Sequence, residues 1–187
     1  MSFRVLVVPE DPIYNGFILQ PLVERVIREA GKTSPKVTVL TNPKLSGFEH
    51  AKKNLSAICE RYKHFDLVLF LPDRDGKPGR DDSLRELSSS LGKKYPFYAI
   101  AAVEEVETWL LAGHKSKLAR EWRYVREDPD VKENDFKGFI QIHGDDGPGQ
   151  GRERLMKETL NNFRGLRSSC PEIDLLVKTI SAMLMPS

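Results

Sequence analysis

Asp66-Leu67-Val68-Leu69-Phe70-Leu71-Pro72-Asp73-Arg74-Asp75-Gly76 runs from an apolar segment straight into two carboxylates and a turn. Five of the seven residues 66–72 are large and apolar, which predicts a strand buried on both faces of a parallel sheet. Asp73 and Asp75 follow at i and i+2, and Gly76, Pro78 and Gly79 force a turn before the next helix. Ligands of open α/β sheets bind just past the carboxyl ends of the strands. Hard cations such as Mg²⁺ take oxygen ligands, usually a few carboxylates plus substrate phosphates. An Asp-X-Asp at this place is therefore suited to Mg²⁺. The plain alternative is an acidic turn in which Asp caps the next helix or closes an Asx-turn. What separates the two is the company these residues keep elsewhere in the chain.

Outward from this stretch the pattern alternates. Phe3 to Val8 is an apolar, β-branched run that ends in Pro9-Glu10-Asp11-Pro12, which cannot continue a central strand. Ile18, Leu22, Val26 and Ile27 recur at helical spacing up to Gly31, a helix with its glycine stop. A short strand is expected over Lys36 to Leu40, and a helix after Gly47 through Tyr62. Asp81 to Leu91 predicts the next helix, Pro96 to Ala102 a fourth strand, and Glu104 to about Ala112 another helix. Alternation of this kind implies an α/β fold with a mainly parallel sheet flanked by helices.

That core covers residues 1–112, and residues 113–187 form a C-terminal loop and helical extension packed on it. Within the extension, residues 120–137 read as a helix end and charged surface loop, and Phe139-Ile-Gln-Ile142 as one more short strand. Residues 143–151 read as a flexible loop. Two helices, near Arg152–Phe163 and Pro171–Met185, close the chain.

Composition narrows the function classes. The 187 residues suit one domain with a modest appendage, and a formal charge of +2 announces no global field for nucleic acid. Binding to such a partner would have to come from a local patch. Cys59 and Cys170 make neither a disulfide framework nor a zinc motif, so a reducing, cytoplasmic setting is expected. The first residues turn polar too soon for a signal peptide. No run approaches the ~18 apolar residues of a membrane span.

Carboxylates gather at three predicted strand ends: Glu10 after the first, Asp73 and Asp75 after the third, and Glu104, Glu105 and Glu107 after the fourth. A parallel sheet brings all those ends to one edge. Glu104 and Glu107 are three apart, so a helix starting there would carry both on one face. Mutual repulsion makes such a cluster costly unless cations sit among it.

The ordered set Glu10, Asp73, Asp75, Glu104 and Glu107 resembles the Toprim domain of topoisomerases, primases and OLD-type nucleases. Ala101-Ala-Val-Glu-Glu-Val-Glu-Thr-Trp-Leu-Leu-Ala112 is similar to a segment of small stand-alone Toprim-like proteins associated with bacterial defence and mobile elements. The resemblance implies a Toprim/Rossmann-like sheet and Mg²⁺- or Mn²⁺-dependent phosphoryl transfer on DNA or RNA. Glu10 would be metal ligand or general base, Asp73 and Asp75 metal ligands, and Glu104 and Glu107 the acidic positions that could support a second ion. The loop after Glu10 departs from the family, with Asp11-Pro12 where glycine is usual. No catalytic tyrosine is identifiable, which leaves strand passage without support.

Other residues carry weaker signals. Arg74 and Lys77 lie inside the acidic loop, where they could meet a scissile phosphate or merely neutralise the carboxylates. Gly147-Pro-Gly-Gln-Gly-Arg152 lacks the ending of a P-loop, but Arg152, Arg154 and Lys157 are plausible phosphate contacts. His143 beside Asp145 and Asp146 reads as a solvated histidine rather than a ligand, and Trp109 reads as core. The expected function is a metal-dependent nuclease or related phosphotransferase. The alternative is a non-catalytic Toprim-like assembly protein beside a separately encoded ATPase, since the chain has no Walker motif. A homodimer is compatible with both. A flavodoxin-like small-molecule binder has less support, because the first loop is not glycine-rich.

Overall fold

A computed structural model describes residues 2–185. Four strands, β1 (Phe3–Val8), β2 (Pro35–Val39), β3 (Leu67–Phe70) and β4 (Phe97–Ala99), form one parallel sheet in the order β2-β1-β3-β4. Helices α1 (Asn15–Glu29), α2 (Phe48–Arg61) and α3 (Gly79–Leu91) make the crossovers, and α4 (Glu107–Leu111) follows β4. The expected α/β architecture is thus present.

Strand periodicity of two sorts the core into two layers. Val5, Val7, Leu67, Leu69 and Leu71 face one cluster, which takes in α1, α4 and the C-terminal helices. Leu6, Val8, Val68 and Phe70 face the other, against Ala51, Leu55, Ile58 and Cys59 of α2 and Leu84 of α3. Helices on opposite faces follow from the strand order, because the chain steps one way from β1 to β2 and the other way to β3 and β4. The reversal falls between β1 and β3. There the loops leave in opposite directions and a crevice opens. Glu10 and Asp73 stand on its two sides.

The extension comprises α5 (Trp122–Arg126), a π turn at Lys132–Phe136 running into α6 (Lys137–His143), then α7 (Arg152–Leu160), α8 (Phe163–Ser169) and α9 (Pro171–Leu184). Phe139–Ile142 is therefore helical, not the strand expected. The π turn inserts a residue, so buried Val131 and Phe136 stand five apart and the helical spacing is masked. The helix expected over Arg152–Phe163 ends at Leu160, and a further helix, α8, begins at Phe163, where the Asn162 side chain accepts the Gly165 N–H at 3.0 Å. Cys59 and Cys170 are both buried thiols, one in each core layer. No helix among the described residues is long and apolar enough to cross a membrane.

Candidate functional site

Asp73 joins the three loops that carry the predicted carboxylates. Past Phe70 the chain stays extended, and Asp73 forms a parallel bridge with Ala102. The Asp73 N–H donates to Glu10 Oε2 at 2.8 Å, linking the loops after β1 and β3 across the crevice. Asp73 Oδ1 accepts the Val106 N–H at 2.7 Å, which ties in the loop after β4 just before α4 begins. The first turn of α4 therefore starts at Glu107, three residues later than the sequence suggests, with an aspartate from another loop bonded to its leading N–H.

The turn after Asp73 is left-handed at two successive residues, Asp75 (φ +49°) and Gly76 (φ +61°). Aspartate tolerates that conformation better than most residues, and glycine adopts it without cost. At Gly76 a Cβ would also lie 3.1 Å from the Pro129 Cβ. The turn directs the Gly76 N–H and the Arg74 guanidinium onto the same buried Glu104 carboxylate, with Arg74 Nε at 2.9 Å. The Glu104 carbonyl accepts from the N–H groups of Arg74 and Asp75. Glu104 is thereby the clamp of the Asp-X-Asp loop. It faces Arg74, whereas Glu107 faces Asp73 and Lys132; the two glutamates do not share a helix face.

Glu107 is the unusual member. It is 0% exposed, and neither carboxylate oxygen has a hydrogen-bond partner. Its nearest cation is Lys132 Nζ, 3.5 Å from Oε1. Asp73 is half-buried as a residue, but burial of its carboxyl group, together with the charges of Glu107 and Glu10, holds its pKa well above the ordinary range. Burial likewise raises Glu10, against the opposing effects of the Asp73 N–H and Arg80. Burial and the Glu107 charge push Glu105 up to about 7. Lys132 responds in kind: burial works against its charge, but Glu107, Glu105 and Asp73 outweigh that and raise its pKa.

Of the residues predicted from sequence, the fold gathers Glu10, Asp73, Asp75, Glu104 and Glu107 at one sheet edge. Arg74 is committed to Glu104. Lys77 is exposed on the rim of a cleft of about 560 Å³ shared with Glu10, Asp75 and Arg80. Arg152 is enclosed rather than exposed, with Cζ 4.5 Å from the Tyr14 ring centroid and 5.1 Å from that of Phe136. Asp11 closes an Asx-turn onto the Ile13 N–H at 2.8 Å, which positions the start of α1. Trp109 is core, its indole N–H donating to Glu172 at 2.8 Å. His143 packs 4.8 Å from the Phe139 ring, and Asp145 pairs with Arg154.

Sequence reading did not place Arg80, Lys132 or Asn15 in the site. Glu105 belongs to the acidic group expected after the fourth strand, without a role assigned to it. Arg80, Lys132 and Asn15 carry no local signal. Among the described residues, four enclosed side-chain atoms lack hydrogen-bond partners: Asn15 Oδ1, both oxygens of Glu107, and Arg152 Nε. Each of these residues opens a helix, and α1, α4 and α7 pack together.

Among the described residues, no three His, Cys, Asp or Glu side chains are already gathered closely enough to hold a metal ion. The carboxylates are instead drawn apart to separate bases: Glu104 to Arg74, Asp75 and Glu10 to Arg80, Glu107 to Lys132. The donor set still fits a hard cation, because Glu107 offers two enclosed oxygens without hydrogen-bond partners next to an Asp73 whose ionisation is suppressed by burial and by the neighbouring carboxylates. No protein-family model, curated protein or solved structure matches this chain.

Proposed function

We propose that this protein is a divalent-metal-dependent phosphodiesterase acting on nucleic acid, of the Toprim-like kind that its ordered carboxylates resemble. The observation that carries the reading is Glu107, a fully enclosed carboxylate with no hydrogen-bond partner beside an aspartate that resists ionisation. Buried carboxylates left in that condition are costly, and a cation removes the cost. Asp73, Asp75, Glu107 and Glu10 are the residues that would hold Mg²⁺ or Mn²⁺, with water completing the shell. The ion would supply Lewis-acid stabilisation of the phosphoryl oxygens and a more acidic water.

The chain's own groups divide the remaining work. Glu105, with a pKa of about 7, matches the requirement for proton transfer near neutral pH. Lys77, at the cleft rim, would steady a substrate phosphate as a point charge. Glu104 keeps the Asp-X-Asp loop in place. The test is calorimetric Mn²⁺ titration followed by incubation with plasmid, single-stranded DNA and tRNA. Parent protein should bind and cleave; the double variant Asp73→Asn, Asp75→Asn should do neither. Equal cleavage by the two would sink the proposal.

A second reading, a non-catalytic Toprim-like assembly protein beside a separately encoded ATPase, is favoured by one observation. Four of the carboxylates already have a basic partner, Glu10 and Asp75 sharing Arg80, as a purely structural ion-pair network would. Mn²⁺ binding without cleavage of any of the three substrates selects it. A part in defence against mobile elements belongs to either reading.

A further inference from the structure

Arg80, the second residue of α3, is 8% exposed, and its guanidinium carbon lies 4.4 Å from the centroid of the Phe48 ring. One nitrogen, Nη1, donates to the Asp73 carbonyl and to Asp75 Oδ2 at 2.7 Å, with Glu10 Oε2 at 3.6 Å. A single positive group thus faces oxygens from the loops on both sides of the β1/β3 crevice. A metal ion drawing on Glu10 and Asp75 together would need the space that this nitrogen fills.

We propose that Arg80 is a tethered counter-cation that competes with the divalent ion for Glu10 and Asp75 and, once displaced, becomes a phosphate contact in the cleft between α2 and α3. This inference rests on the metal-dependent reading above. The cleft is lined by Arg80 itself, with Lys77 and His50 nearby. Stacking on Phe48 lets the planar group pivot without losing its apolar contact, while its remaining N–H donors suit the paired oxygens of a phosphate. Before the ion arrives, Arg80 offsets the repulsion among the carboxylates and keeps Asp73 and Asp75 in register. Afterwards the same charge faces substrate. Ion and substrate binding are then coupled, and by linkage each tightens the other.

The experiment measures Mn²⁺ affinity by calorimetry for the parent, Arg80→Gln, Arg80→Lys and Phe48→Leu, with thermal unfolding in EDTA alongside. Removing a competing unit charge at contact distance should tighten Mn²⁺ binding about tenfold or more in Arg80→Gln. That variant should also melt earlier than the parent in EDTA and recover in Mn²⁺. Arg80→Lys, which keeps the charge, should stay near the parent. A phosphorothioate oligonucleotide should tighten Mn²⁺ binding in the parent and leave Arg80→Gln unmoved.

A merely structural arginine gives the opposite sign: Arg80→Gln would bind Mn²⁺ more weakly, or equally, and that result overturns the inference while leaving the metal site standing. If Arg80→Gln does not fold in EDTA, Phe48→Leu decides. It keeps every charge and loosens the stack, and its cost to the Phe48–Phe70 core packing is read by the thermal unfolding, so tighter Mn²⁺ binding supports the competition and unchanged binding overturns it. Failure of the parent and all three variants to bind Mn²⁺ overturns both the metal reading and this one.

Discussion

Glu107 and Lys132 stand 3.5 Å apart, an ion pair too long to be a hydrogen bond, and the carboxylate end of it is sealed from solvent. Lys132 keeps part of its side chain exposed and can hydrate its ammonium, whereas Glu107 has no such recourse. The glutamate is therefore the strained partner.

Replacing it isolates that strain. Glu107→Gln removes a buried charge at nearly constant volume, so the protein in EDTA should gain stability, by about 1 kcal/mol. The stabilisation that Mn²⁺ gives the parent should disappear from the same variant. Urea unfolding with and without Mn²⁺ reads both effects. A variant less stable than the parent in EDTA would show that the Lys132 pair outweighs the desolvation of Glu107.

Glu104 should behave in the opposite way. Its carboxylate is 3% exposed as a residue and holds both Arg74 and the Gly76 N–H. Glu104→Ala should cost about 2–4 kcal/mol in EDTA and Mn²⁺ alike, because it leaves Arg74 and the turn without their anchor. A loss confined to the Mn²⁺ condition would instead make Glu104 a ligand.

The turn itself is testable at glycine. Gly76→Ala places a Cβ 3.1 Å from Pro129 in a left-handed conformation, and should cost about 1–2 kcal/mol. Chemical unfolding of the variant at one pH suffices; a cost near zero would mean that the turn relaxes.

In EDTA the protein should lose stability as the pH rises. A carboxyl whose pKa is raised by folding keeps its proton where the unfolded chain has released it. Its contribution is complete below the unfolded value of 4.5 and is lost as the pH climbs through about 7 for Glu105. Glu10 and Asp73 shift in the same direction. With allowance for the partial exposure of Glu105, its share is on the order of 1–2 kcal/mol. Saturating Mn²⁺ should flatten the slope between those limits, as measured by urea midpoints across the range.

The layered core was legible from sequence because strand and helix periods are local. Phe3–Val8 and the apolar run before Asp73 announce buried parallel strands by composition alone. The length and sequence of α1, α2 and α3 announce crossovers. The pattern is broken where a period is interrupted, as at the π turn before Phe139, or where a side chain starts a new helix, as Asn162 does. Both are local departures that a pattern of threes and fours does not contain.

The sequence by itself determined the alternating fold and which loops carry acid to the sheet edge, since both depend on spacing along one chain. The tertiary structure alone decided how those acids divide. Glu104 turns to Arg74, Glu10 and Asp75 are bridged by Arg80, and Glu107 is sealed beside Lys132 and Asp73. Each partner comes from a different segment or a different face of a turn. Burial and pairing depend on three-dimensional distance, which separation along the chain does not encode.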